Sequence, residues 1–315
     1  MFLTPEVMAI LVLNAIFALF SFVAFFISVK IYLNWNMNSS SASQYELEKQ
    51  SFLGATIIKY ILITKSALFL FFIFTLDKIS NVITGAMCAA GVVDATQTGA
   101  SLIVLKILNI YLFALWLKLH SQDMSDKLQP YTKLKFSLFI PLFFLLTAEI
   151  ILETVMFGSI EIDKMVSCCG TIYSSSSTSA ISSLFLLDTS LLITLFYGTY
   201  LLMVLFYFIK NRYLFSVVNF LFIPISLITL IIFFGTYIYE LPSHHCPFCF
   251  LQGDYYYVGY LIYTLLFLGT FYGISVSFAK EGDGSYKKSL LFNSLYVILL
   301  TMYVVVYYIR NGVFL

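Results

Sequence analysis

The sequence predicts an all-α integral membrane protein, a polytopic bundle of about eight transmembrane helices forming a single domain over residues 1–315 with both termini on the extracytoplasmic side. Three observations carry this. The chain is 61% hydrophobic, 18% aromatic and only 10% charged, with a mean hydropathy of +0.95, far from the composition of a soluble domain. Its apolar residues fall into stretches of the roughly 20 residues that a helix needs to cross a bilayer. Its basic residues fall into alternate connecting segments.

The first stretch, 7–32, is too long for the apolar core of a signal peptide and lacks a small-residue cleavage site, so it reads as a span. A polar connector, Asn36 to Gln50, leads to the second span at 53–75, which contains Lys65. The third span, 99–117, contains Lys106, and the segment His120 to Thr132 reads as another amphipathic or flexible connector, with His120 as a surface residue. The fourth, 136–157, carries Pro141, Glu149 and Glu153. A Ser-rich loop, Ser174 to Ser183, enters the fifth span at 183–208, which includes Asp188, and the sixth, 214–239, contains Pro224. Prolines within spans are common and are not diagnostic of transport. The seventh, 256–278, opens on an aromatic run and carries Gly269 and Gly273, a small-xxx-small pair suited to close helix packing. The eighth is 290–309.

Lys30, Lys49, Lys59, Lys118, Lys127, Lys133, Lys135, Lys210, Arg212, Lys280, Lys287 and Lys288 share one side, and only Lys78, Lys164 and Arg310 lie on the other. That imbalance of 12 to 3 orients the chain by the positive-inside rule. A count of seven spans would break the alternation. The bias fits a bacterial inner membrane with the outer loops in the periplasm, and an endoplasmic reticulum membrane with lumenal loops fits as well. A net charge of +1 gives no reason to expect nucleic acid, and no phosphate-binding or dinucleotide motif is present. Chemistry therefore has to sit in the bundle or on its outer surface, with the lipid bilayer as the first partner.

All five cysteines lie in the three outer loops. The third loop reads His244-His245-Cys246-Pro247-Phe248-Cys249. Proline favours the first position of a helix, which predicts Cys246 at an N-cap and Cys249 one turn on. There the helix N-terminus, helped by a protonated His245, would favour thiolate. The second loop contains Cys168 and Cys169, whose adjacent α-carbons are about 3.8 Å apart, closer than disulfides prefer. They either take different partners or form a labile pair. The first loop offers Met87 and Cys88 between small residues.

Three readings follow. Loop cysteines in an oxidising compartment commonly form structural disulfides, here in a membrane subunit of a larger complex. The leading functional reading is thiol-disulfide or electron-transfer chemistry at the outer membrane face, with Cys246 and Cys249 as the reactive pair, Cys168 and Cys169 as the exchanging pair and His245 tuning the thiolate, serving an extracytoplasmic thiol or cytochrome protein. Cys88, Met87, Cys168, Cys169, His244, His245, Cys246 and Cys249 are also ligands that suit copper(I) or zinc, or a haem-handling site. An odd number of cysteines argues against stapling alone.

The run Cys246-Pro247-Phe248-Cys249-Phe250-Leu251-Gln252 resembles the C-x-x-C segment of the disulfide-bond-forming membrane oxidases, which pass electrons from thiols to quinone. The resemblance implies Cys246 and Cys249 as the quinone-proximal pair, with Cys168 and Cys169 nearest to a shuttle pair. It covers about seven residues. That family has four or five spans and lacks the paired histidines and vicinal cysteines, so the likeness is one of motif.

Lys65, Lys106, Glu149, Glu153 and Asp188 form a second group. An ionisable side chain costs at least about 2.5–3.5 kcal/mol at the centre of a span, so these residues should face inward and pair. Glu149 and Glu153 share a helix face. They serve either a structural ion-pair network or proton movement between the outer site and the core. Tyr255, Tyr256, Tyr257, Tyr260 and Tyr263 suit an interfacial aromatic belt, or the wall of a quinone or haem pocket.

Overall fold

A computed structural model of the protein describes residues 4–36, 39, 41–160, 166, 187–278 and 284–315. The regular elements among these residues are all helical: α1 (Pro5–Asn34), α2 (Ala42–Ser80), α3 (Ala89–Asp94), α4 (Gly99–Met124), α5 (Thr132–Ser159), α6 (Thr189–Ile209), α7 (Arg212–Thr229), α8 (Gly235–Tyr239), α9 (Val258–Ser275) and α10 (Ser285–Asn311). A π-helical turn, Leu230–Phe234, joins α7 to α8 in one continuous rod. Among the described residues, eight helices are long and apolar enough to cross a membrane, as the composition predicts.

Several helices run past the apolar stretches that announce them. The connector before the second span is helical from Ala42, because its Gln, Glu, Leu and Lys residues are good helix formers. Its start is capped by Ser41, whose hydroxyl accepts the Gln44 N–H at 3.3 Å. α2 therefore has 39 residues, nearly twice the ~20 that a bilayer requires. At α6 the difference has the opposite sense. Asp188, expected within the fifth span to face inward and pair, is an exposed N-cap whose carboxylate accepts the Ser190 N–H at 3.1 Å. A short acidic side chain is more stable satisfying an orphan helix N–H than entering the apolar interior. His120 likewise leaves its expected loop. It lies on α4, its ring stacked on Trp116 with centroids 5.3 Å apart.

The chain divides into two compact units, residues 1–79 with 92–164, and residues 80–91 with 165–315. The first contains α1, α4, α5 and nearly all of α2. Along α1 the buried positions Ile10, Asn14, Phe17, Ser21, Ala24, Ser28 and Ile31 recur every three or four residues. Phe20, Phe22 and Phe26 are exposed. Asn14, Ser21, Ala24 and Ser28 share the inner face with Ile10, Phe17 and Ile31, and large apolar residues are left outside as well, since burying a phenylalanine gains little when the solvent is hydrocarbon.

The second unit packs α6 to α10 around Phe196, Phe222, Phe234 and Tyr296. Gly269 and Gly273 have the close-packing role their spacing predicts. A Cβ added at either position would collide with Asn293 or Asn219. These asparagines form a polar seam: Asn293 Nδ2 donates to Asn219 Oδ1 at 2.9 Å, and Ser289 Oγ donates to the Gly269 carbonyl at 2.8 Å.

Candidate functional site

Cys246 and Cys249 owe their position to the way the rod α7–α8 ends. Its π turn is wider than an α turn, with the Gly235 N–H reaching back five residues to Leu230 O. Such turns cluster at functional sites. Ile231 O in this turn lies 3.1 Å from His245 Nδ1, which donates to it. The rod stops at Glu240 in a left-handed conformation (φ 54°), and the Leu241 N–H closes the end on Thr236 O at 3.1 Å. His245 thus ties the returning loop to the helix that it has just left.

The C-x-x-C segment does not open a spanning helix. Pro247 and Phe248 form a turn, Cys249–Leu251 and Gly253–Tyr255 are single 3-10 turns, and α9 begins only at Val258. Tyr256 and Tyr257 both have positive φ (53° and 56°), so the helix cannot start before them. Cys246 is therefore no N-cap, and the expected helix-dipole stabilisation of its thiolate has no helix behind it. Burial lowers the proton affinity of His245 below the ordinary histidine value, against smaller opposing contributions from the carbonyls of Ile231 and Pro242. The neutral imidazole is favoured, which removes the physical basis for a protonated His245 beside the thiols.

Other side chains fix the segment instead. The Tyr239 hydroxyl donates to the Cys246 carbonyl and accepts the Phe250 N–H at 3.1 Å. Tyr263 donates to Pro247 O at 2.7 Å. The Tyr239 ring stacks on Phe250, with His244 and Tyr255 set edge-on against it. The aromatic run after the cysteines thus contributes two members, Tyr255 and Tyr263, to the walls of the loop. Tyr256 is 93% exposed.

Cys88 arrives from the segment after α2. Gly85 (φ 91°) turns the chain against Val166, whose N–H donates to Thr84 O at 3.1 Å. A side chain at Gly85 would strike the Val166 carbonyl. Gln252 Nε2 donates to Met87 O at 3.3 Å, which joins this segment to the C-x-x-C loop. The Cys88 and Cys246 sulfurs are 3.5 Å apart, and those of Cys88, Cys246 and Cys249 all lie within 4.8 Å of one another. They are 0%, 1% and 5% exposed.

This is the convergence of sulfur ligands among the described residues. Met87 adjoins it, but its side chain is 69% exposed. His244 and His245 lie outside the convergent group. Cys168 and Cys169 lie outside the described residues.

Four charged residues within the spans of the first unit, Lys65, Lys106, Glu149 and Glu153, form a network. Lys65 Nζ and Lys106 Nζ each lie 2.9 Å from Glu149 Oε1, and Lys106 Nζ lies 3.0 Å from Glu153 Oε1. Lys65 Nζ is 3.6 Å from Glu153 Oε2. Asn14 bridges Lys65 and Glu153, and Asn109 Nδ2 donates to Glu149 Oε2 at 2.6 Å. Two positive and two negative side chains, each no more than 4% exposed, cancel. Asn14 and Asn109 are absent from any charge-based reading of the sequence, although Asn109 falls one turn after Lys106 on the same face.

A second buried pair also escapes the sequence. Lys135 Nζ lies 2.6 Å from Asp123 Oδ2, and Asp123 also accepts from the Tyr131 N–H and the Thr132 hydroxyl. Both residues flank a polar connector, where charge is ordinarily solvated. Comparison with known protein families, curated proteins and solved structures finds no match to this chain.

Proposed function

We propose that this integral membrane protein binds a soft metal ion, copper(I) above all, through the thiolates of Cys88, Cys246 and Cys249. The observation that carries the reading is three buried sulfurs mutually within 4.8 Å. A metal bound at the ~2.3 Å typical of zinc–thiolate bonds holds its sulfurs roughly 3.8–4.0 Å apart, so small movements suffice to close the centre. An all-sulfur set of three favours copper(I), which accepts three thiolates, over zinc, whose structural sites take four ligands. Thiols must lose their protons to bind as thiolates, so binding releases protons and affinity falls as the pH is lowered. The basic-residue asymmetry supports a placement of this centre on the periplasmic side of a bacterial inner membrane, with both termini on that side.

One observation favours a second reading. At 3.5 Å, Cys88 and Cys246 are poised to form a disulfide with little motion. In that reading the Cys88 and Cys246 thiols give up two protons and two electrons to a quinone, which becomes a quinol, and form a disulfide between them. The depth of the sulfurs counts against direct exchange with a protein thiol, which needs access to the attacked sulfur.

The test is mass-spectrometric alkylation of anaerobically purified protein, with metal analysis of the same sample. The expected result is release of Cys88, Cys246 and Cys249 by a copper(I) chelator alone, with about one metal per chain lost on Cys246→Ser. Release only by reductant transfers the assignment to the disulfide reading.

A further inference from the structure

The first unit holds a cleft of about 640 Å³ between α2 and the end of α4, and no role described above uses it. Its volume lies within the roughly 300–1,000 Å³ of small-molecule sites. Among its lining residues are Lys59, Lys135 and His120, and no aspartate or glutamate. Asp123 pairs with the Lys135 ammonium from outside that lining. Ser51, Ser121 and Gln129 add further hydrogen-bonding groups to the wall.

Two independent features point to a ligand. His120 Nδ1 is buried and has no hydrogen-bond partner among the described residues, an arrangement that costs free energy unless something fills it. Gln129, on the cleft wall, has a φ of 45°, an uncommon conformation for a residue with a side chain. The Asp123 network, with bonds to Tyr131, Thr132 and Lys135, holds the turn that carries it. Strain of this kind gathers at binding sites.

The rim identifies the ligand's shape. Phe52, Tyr60 and Ile63 line the cleft and are exposed, at 51%, 65% and 45%. The Lys59 ammonium beside an exposed apolar rim fits an amphiphile with an anionic head. Lys127 and Lys133, exposed in adjoining segments, add positive charge to the side that the charge pattern assigns to the inner leaflet.

We propose that this cleft binds a phosphate group, that of an anionic phospholipid headgroup, with Lys59 as the charge partner, His120 Nδ1–H as a donor and the acyl chains along Phe52, Tyr60 and Ile63. The inference is independent of the thiol centre. A lipid headgroup and a soluble phosphate share the head chemistry, and the apolar rim favours the lipid.

The experiment is native mass spectrometry of the delipidated full-length protein, titrated separately with phosphatidylglycerol, phosphatidylcholine and inorganic phosphate. Phosphatidylglycerol should bind in preference to phosphatidylcholine. Its affinity should fall about tenfold in Lys59→Gln and in His120→Phe, the loss expected for one charged or buried hydrogen bond. Lys127→Gln, outside the cleft, should leave it unchanged. Lys59 is exposed, so its replacement should leave the thermal midpoint intact, and His120→Phe keeps a ring against Trp116. Should His120→Phe fail to fold, a photoactivatable phosphatidylglycerol must label α2 and the end of α4, and labelling elsewhere overturns the site. Equal binding of the two lipids, or no loss in Lys59→Gln, also overturns it. Displacement of lipid by millimolar inorganic phosphate, with the same dependence on Lys59, overturns the lipid in favour of a soluble phosphate.

Discussion

Glu149 illustrates how much one residue can hold. Its carboxylate faces both buried lysines and the Asn109 amide, so Glu149→Gln leaves two ammonium groups sharing Glu153. Removing one member of a buried ion pair costs about 3–5 kcal/mol, and denaturant titration in detergent should read a loss of that size. Pairing of Lys65 and Lys106 with an acid was legible, because an unpaired charge in a span is too costly to persist. The asparagines were not legible, since a neutral amide carries no such penalty to announce it. His245 supports a different prediction. Its proton affinity is lowered in the folded protein from an ordinary value of 6.5, so the unfolded chain binds the proton more tightly. The stability it contributes is therefore complete above about pH 6.5 and is lost as pH falls below that value. Hydrogen exchange, corrected for intrinsic rates, should show residues 241–257 losing protection through that window, and the loss should vanish in His245→Asn.

Apolar length marked every spanning helix, because the bilayer sets the length. It did not mark their ends. Ends are decided by caps and by the propensity of polar residues outside the apolar stretch, as at Ser41 and Asp188. Local proline chemistry misled at Cys246: Pro247 suits a turn as well as a first helical position, and the two left-handed tyrosines delay α9. The π turn at Leu230–Phe234 had no sequence signal. The Gly269 and Gly273 pair did, and its prediction is direct. Gly273→Ala drives a methyl into Asn219 and should destabilise by about 1–3 kcal/mol as an overpacked contact, read as a lowered thermal midpoint. Gly198→Ala, with nothing within 4 Å of the added carbon, is the matched control and should not destabilise.

At the scale of the whole chain, hydropathy and charge by themselves announced the membrane class, the eight long apolar helices found among the described residues and the presence of cysteines in alternate connecting segments. These are one-dimensional properties: the bilayer reads the length of an apolar run and the charge beside it, whatever the helices touch. Which cysteines meet is another matter. Cys88 and Cys246 are separated by 158 positions, and nothing in either segment names the other as its partner. Their meeting depends on Gly85 turning against Val166, on Gln252 reaching Met87 O and on His245 fastening its loop to Ile231. The same holds for the cleft of Lys59 and His120, whose far wall exists because α4 runs beyond its apolar stretch and carries His120 and Ser121 alongside α2. Tertiary structure alone decided these sites, because their donors come from distant segments and converge only when the backbone is packed.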